Sequence, residues 1–352
     1  MMFLHVVGAR PQFMKLAPLH KEMISQNLEC KILHTGQHFD SNMSDIFFKE
    51  LDIPTPDYNL NINSLSNVSM TAKMMEGIEE IIVRDDIDAV IVYGDTNSTT
   101  AGAIVARQMD IPVIHVESGV RNGDPTMPEE INRIVVDRIA DVLFCVSGRS
   151  YENLKQEALW YGARAFNCGD LMYDCLLNTM KLLDIPDNNV VEPYVLATIH
   201  RAYNTDNPAR LRSIIGALNT INEKTKVVMP MHPRTKNKIE GLQIDFDLSP
   251  PVGYKEMMSL LANSRSVITD SGGLVREAYW LKKPSLTLLR KPVWSELISL
   301  GVSQNVDPSS LVGAYRERQL MVNEFTEGIF GFGDSAKKIT HILLDNIEQW
   351  RK

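Results

Sequence analysis

The sequence predicts an α/β fold of two Rossmann-like, doubly wound domains facing across a cleft, and three observations carry that reading. Short β-branched apolar runs recur, each ending in small or polar residues and each followed by a helical pattern, as expected of βαβ units on a parallel sheet. The 352 residues exceed a single ordinary core, since domains run to about 100–200 residues, and two domains imply a cleft. The runs also divide into two series separated by a polar stretch.

The first series is Phe3–Val7, Lys31–His34, Ala89–Tyr93, Val113–Val116 and Val142–Val146. The second is Tyr194–Ile199, Lys226–Met231, Ser266–Thr269 and Ser285–Leu289. Between them lie Asn167-Cys168-Gly169-Asp170, a short helical pattern, and the proline-containing segment 184–189, whose composition suits a linker. The domains are therefore placed at 1–175 and 190–335. A final helix over 336–352 either completes the second domain or packs back on the first. Two strand ends echo each other, Tyr93-Gly94-Asp95-Thr96 and Thr269-Asp270-Ser271-Gly272.

Composition narrows the function. Hydrophobic residues at 44% and charged residues at 23% describe an ordinary globular chain and exclude disorder. The formal charge of −8 argues against a general nucleic-acid or anionic-membrane binder, so an anionic ligand has to be met by locally gathered cations. Cys30, Cys145, Cys168 and Cys175 show neither CxxC spacing nor histidine partners at zinc-site intervals, and read as reduced core residues. The N-terminus enters a strand at once without a leader pattern, and no run reaches about 18 apolar residues, which points to the cytosol. Gly8-Ala9-Arg10 lacks the GxGxxG continuation, so no cofactor is expected, neither NAD nor a required metal.

In open parallel sheets ligands bind beyond the carboxyl ends of the strands, and those ends are rich in chemistry here. Asp270-Ser271-Gly272-Gly273 follows a strand and opens a helix, so backbone N–H groups can approach a diphosphate closely, and Glu277 stands where a carboxylate can take ribose hydroxyls. The structural alternative is a tight turn with a dipole-complementing glutamate. Pro11 fits the first helical position, leaving Arg10 at the helix mouth and Lys15 one turn in, although a lysine there is more commonly solvated. His200-Arg201 and His232-Pro233-Arg234 add a histidine and an arginine at two strand ends of the second half.

The carboxylates gather in the first half as Asp95, Glu117 and Glu129-Glu130. Glu129 and Arg133 stand four apart, which suits an i,i+4 ion pair. Asp95 follows a buried strand and a glycine, a setting that can raise a carboxyl toward a general base; the alternative is a helix cap.

With these residues in hand, the chain resembles the non-hydrolysing branch of the UDP-N-acetylglucosamine 2-epimerase family. The matching pieces run in order from Gly8-Ala9-Arg10-Pro11-Gln12-Phe13-Met14-Lys15 through Thr35-Gly36-Gln37-His38, Gly94-Asp95-Thr96, His115-Val116-Glu117-Ser118-Gly119 and Pro128-Glu129-Glu130-Ile131-Asn132-Arg133. They continue with His200-Arg201, His232, and Asp270-Ser271-Gly272-Gly273 with Glu277. The resemblance implies a GT-B-like fold, a UDP-sugar substrate, a homodimer, and inversion at carbon 2 by elimination and re-addition of UDP. It assigns Asp95, Glu117 and Glu129 as acid–base carboxylates and His200 to the leaving diphosphate. Arg10, Lys15, His232, Ser271, Gly272, Gly273 and Glu277 would hold UDP, Arg133 and Arg290 would position sugar or phosphate, and Val252 and Met257 would pack the uracil.

Gln37 and His38 match part of an activator site in some bacterial members. The chain departs from the family's pattern at Lys291 and Val293 and in Val120-Arg121-Asn122. Relatives act on UDP-sugars altered at carbons 3 and 6, so the resemblance implies interconversion of UDP-N-acetylglucosamine and UDP-N-acetylmannosamine or of a related UDP-2-acetamido sugar. A hydrolysing epimerase and a UDP-sugar glycosyltransferase would share the diphosphate seat. A binding regulator without chemistry would have no use for three carboxylates.

Overall fold

The computed structural model describes residues 1–37, 41–157, 162–183, 193–318 and 324–350, and the side chains at 41–45, 233–234 and 347–350 fall outside that description. His38 and the linker read at 184–189 also lie outside the described residues. The chain forms two compact units, Met1–Asn178 with Glu327–Lys352, and Thr179–Thr326.

Through the first unit run β1 (Met2–Val7), α1 (Arg10–Ser25), β2 (Glu29–His34), α2 (Ser41–Glu50), β3 (Tyr58–Asn59), α3 (Asn67–Asp85), β4 (Ala89–Tyr93), α4 (Asn97–Gln108), β5 (Val113–Ser118), α5 (Pro128–Ile139), β6 (Val142–Cys145), α6 (Gly148–Gln156), β7 (Arg164–Asn167) and α7 (Leu171–Leu182). The second has β8 (Tyr194–Thr198), α8 (Ala202–Thr205), α9 (Pro208–Asn222), β9 (Val227–Pro230), α10 (Pro233–Lys236), β10 (Asp247–Ser249), α11 (Tyr254–Asn263), β11 (Ser264–Thr269), α12 (Gly272–Trp280), β12 (Ser285–Thr287), α13 (Ser295–Ser299), β13 (Ser303–Asn305) and α14 (Leu311–Arg318). The last helix, α15 (Ser335–Trp350), belongs to the first unit.

Among the described residues the sheets have the orders β3-β2-β1-β4-β5-β6-β7 and β10-β9-β8-β11-β12-β13, and the strand pairs are parallel. The predicted fold class is therefore present in both halves. Strands β3, β7, β10 and β13, which the apolar runs did not announce, are the four sheet edges. An edge strand is short and not covered on both sides, so it needs no continuous apolar run. The central strands do: β4 is buried at all five positions.

Alternation along the strands sends Leu4, Val6, Val90 and Val92 into one core with Met74 and Ile78 of α3 and Ala101 and Val105 of α4. In α1, Phe13, Leu16, Leu19 and Met23 are fully buried, each such side chain contributing about 1.5–3 kcal/mol. The second unit has its own core around Val195, Ile214, Leu218, Val227 and Ile268.

The return of the chain to the first unit depends on a close backbone crossing. Gly169 and Gly331 both have positive φ, +85° and +80°, and a Cβ on Gly169 would stand 2.9 Å from Gly331 Cα and from Phe330 O. Asp170 N donates to Phe330 O at 3.0 Å. Asp174 accepts from the N–H groups of Ser335 and Ala336 at 3.2 and 2.9 Å, satisfying donors that the first turn of α15 leaves open. Gly169→Ala is expected to cost about 2–4 kcal/mol through strain and overpacking. It should also speed amide exchange across α15, measured by hydrogen–deuterium exchange; exchange equal to that of the parent chain would refute this crossing as the anchor.

Candidate active site

The turns after β1, β4 and β5 are held together by buried polar side chains. Gln12, 1% exposed, accepts from Gly8 N and Ala9 N at 2.7 and 3.0 Å and donates to Tyr93 O at 2.9 Å and to Thr96 and Thr99 hydroxyls at 3.0 and 3.1 Å. Gly8 is required by this approach, because a Cβ there would lie 2.1 Å from Thr35 Oγ1. The helix starts at Arg10 with Pro11 second, one position earlier than the sequence suggested. Arg10 lies over the Phe47 ring, 4.4 Å from its centroid.

Lys15 is not a solvated lysine. It is 2% exposed, and Nζ pairs with Glu117 Oε2 at 2.9 Å. Glu117 projects from β5 where the register to β6 shifts between Val116 and Ser118, and its φ is +67°. A left-handed non-glycine residue at a bulge is strained by about 1–3 kcal/mol and re-aims its side chain. Here that side chain meets the Lys15 amine.

Asp95 is neither the helix cap nor a lone desolvated acid. Thr96 caps α4, and the Asp95 carboxylate pairs with Arg133 of α5. Arg133 also donates to Glu130 at 2.8 Å, so within its helix it engages the acid three residues back. Burial opposes the Arg133 charge, yet Asp95, Glu130 and Glu117 outweigh it and raise its pKa. Glu130 additionally accepts from Asn122 and Gly123 backbone N–H groups, so it organises the 122–130 loop. Glu129 stands half-buried in the first turn of α5.

Beneath these groups Asp137 is wholly buried. It meets His115 Nδ1 at 2.7 Å, Gly119 N at 3.0 Å and Arg121 Nη1 at 2.7 Å. His115 Nε2 lies 2.7 Å from Gly94 O, which links this carboxylate to the turn bearing Asp95. Burial alone would push the Asp137 carboxyl up, but His115 and Arg121 against it hold it below its ordinary value.

In the second unit Asp270 is the hub, also wholly buried. Its carboxylate accepts from His200 N at 3.0 Å, Arg201 N at 2.8 Å and Asn204 Nδ2 at 2.9 Å, and lies 3.2 Å from His200 Nδ1. The rings of His200 and His232 stack with centroids 5.2 Å apart. Ser271 caps α12, accepting from Leu274 N at 3.3 Å, and Gly272 and Gly273 open the helix. Glu277 lies beyond the first turn and is 4% exposed, so it is not a dipole-complementing residue. Trp294 Nε1 donates to Gly272 O at 2.8 Å, with the Arg276 guanidinium 4.2 Å from the indole ring centroid.

Arg290 is exposed, 5.0 Å from the Tyr203 ring centroid. Val252 and Met257 are half-buried, whereas the core face of α11 is Tyr254, Met258 and Leu261. Gln37 accepts from Ser98 Oγ at 2.9 Å. The four cysteines form no disulfide among the described residues; Cys30 is partly exposed, which corrects its reading as a core residue.

The structure thus brings Lys15 to Glu117 and Asp95 to Arg133 in one unit, and His200 to His232 beside the glycine-opened helix in the other. Sequence reasoning missed Gln12, Asp137, Arg121 and the supporting role of Asp270. Gln12 had a local signal, as the third helical residue reaching back to the cap position. The others act through partners distant in sequence.

Fold and turns define an α/β enzyme of the GT-B-like, two-Rossmann-unit class. A model of the UDP-N-acetylglucosamine 2-epimerase family matches residues 21–344, and the chain belongs to that family, an isomerase. A UDP-N-acetylglucosamine 2-epimerase homolog of Methanococcus maripaludis is 43% identical over 96% of this chain and 98% of its own. A UDP-2,3-diacetamido-2,3-dideoxy-D-glucuronate 2-epimerase of Pseudomonas aeruginosa is 44% identical over 97% of this chain and 99% of its own. The crystal structure of Methanocaldococcus jannaschii UDP-GlcNAc 2-epimerase in complex with UDP-GlcNAc and UDP aligns with a TM-score of 0.90 at 34% identity, covering 98% of this chain and all of that one. No helix among the described residues is long and apolar enough to cross a membrane.

Because the folded Asp137 value is depressed, its contribution to stability is present above the ordinary aspartate value of 3.8 and is lost as pH falls through the folded value. Asp137→Asn should lower stability at neutral pH by about 3 kcal/mol and flatten the acid limb of the stability curve. Urea unfolding from about pH 1.5 to 7 measures both, and an unchanged acid limb would contradict the assignment.

Proposed function

We propose that the chain inverts carbon 2 of a UDP-2-acetamido sugar, interconverting UDP-N-acetylglucosamine and UDP-N-acetylmannosamine or the 3-acetamido uronic acid counterparts, without net hydrolysis. The observation that carries the proposal is the pairing of two carboxylates with two cations on adjacent strand ends, Glu117 with Lys15 and Asp95 with Arg133, within a member of the epimerase family.

The chemistry asks for such groups. No carbonyl activates the proton on carbon 2, so the C1–O bond to UDP breaks as a carboxylate removes that proton, giving a glycal and free UDP. A proton is then delivered to carbon 2 from the opposite face, and a UDP phosphate oxygen re-forms the bond at carbon 1. Atoms balance with no added water. Asp95, Glu117 and Glu129 are the groups assigned to proton transfer and to the oxocarbenium-like sugar. His200 is assigned to the departing diphosphate, its backbone and ring tied to Asp270.

UDP is assigned to the second unit. Ser271, Gly272 and Gly273 offer a helix N-terminus to phosphate, His232 is assigned to UDP with them, Glu277 takes ribose hydroxyls, and Val252 and Met257 flank uracil. Arg10, Lys15, Arg133 and Arg290 are assigned the positive charge that the UDP-sugar needs. A uronic acid substrate is kept in the proposal by the 44% identity to the diacetamido-glucuronate enzyme. A homodimer in the cytoplasm completes the reading, resting on the family.

Incubation with each UDP-sugar in deuterium oxide, followed by proton NMR, should give the carbon 2 epimer carrying deuterium at carbon 2. Free N-acetylmannosamine plus UDP would instead select the hydrolysing reading. Asp95→Asn should reduce turnover by at least about 100-fold while UDP affinity by calorimetry stays within about twofold. Full activity in that variant would remove Asp95 from the mechanism.

A further inference from the structure

On the face of the first sheet covered by α1, well below the turn rim, three metal-ligand side chains converge. His5 of β1, His20 of α1 and Cys30 of β2 each present one donor atom, all within 4.8 Å of one another. His5 is 0% exposed and His20 8%. His5 Nε2 and His20 Nδ1 are buried without a hydrogen-bond partner among the described residues, an arrangement that native interiors avoid unless something else satisfies the atoms. The rings stand edge to face, centroids 5.3 Å apart.

We propose that His5, His20 and Cys30 form a metal site for a borderline divalent ion, zinc foremost, which clips β1, α1 and β2 together. Two imidazoles and a thiolate are a zinc donor set, and three protein ligands leave a fourth position for solvent. Zinc bonds of about 2.0 Å to nitrogen and 2.3 Å to sulfur set the donors about 3.5 Å apart, within reach of small side-chain rotations from the separations present. His5 has the support that metal-bound histidines need. Its Nδ1 lies 2.6 Å from Tyr93 Oη, and when Nδ1–H donates there, Nε2 keeps its lone pair for the ion.

Cys30 is partly exposed and gives the ion a way in. No spacing motif announces this site, because its ligands come from three elements. It is independent of the epimerase reading.

The test uses the full chain, stripped with a chelator and titrated with cobalt(II). One equivalent should bind, with visible bands of tetrahedral intensity and a near-ultraviolet thiolate-to-cobalt band, and zinc should displace it and raise Tm. Cys30→Ser, at a partly exposed position, should abolish the thiolate band, and His20→Gln should weaken cobalt binding by at least about tenfold. Absence of stoichiometric binding, a spectrum without the thiolate band, or a band that persists in Cys30→Ser would overturn the proposal.

Discussion

Parallel strands cannot be joined by tight hairpins, so in each sheet every β-to-α turn lands on the same edge. Those turns carry backbone donors and acceptors outside the sheet ladder, and where they are buried only side chains can satisfy them. Gln12 does this for the turns after β1 and β4, Asp137 for the turn after β5, and Asp270 for the turn after β8. The residues proposed for chemistry therefore stand on backbone that is fixed by buried amides and carboxylates, and little of its geometry is left to loop chance.

The two echoing turns illustrate how context divides one motif into two jobs. Asp95 and Asp270 each follow the strand that neighbours the first strand of their unit, and each precedes a capping hydroxyl, Thr96 or Ser271. Asp95 remains about one quarter exposed and faces a guanidinium. Asp270 is sealed and gathers backbone N–H groups from the next turn. One keeps part of its carboxylate exposed beside an arginine, and the other holds a histidine in place.

Much of this was legible in the sequence, for physical reasons that differ by level. Buried parallel strands such as Ala89–Tyr93 must be apolar throughout, so they read clearly, while edge strands such as Tyr58–Asn59 have no such obligation and stay silent. Strand-end glycines and prolines marked the turns, and the polar residues beside them gave Asp95, Glu117, His200 and Ser271. Partner choice was not legible. Spacing pointed Arg133 toward Glu129, but the fold also delivers Asp95 and Glu130 to it, and the burial of Lys15 depends on a bulge two strands away.

The first unit is written in two pieces, with the second unit inserted between residue 178 and residue 327. During synthesis the α1 face emerges from the ribosome long before α15, the helix that packs on it. The nascent chain must hold that apolar surface uncovered while the whole second unit is made. The first unit is thus completed only after the second unit has been made, and the interval exposes the newborn chain to chaperones and to aggregation.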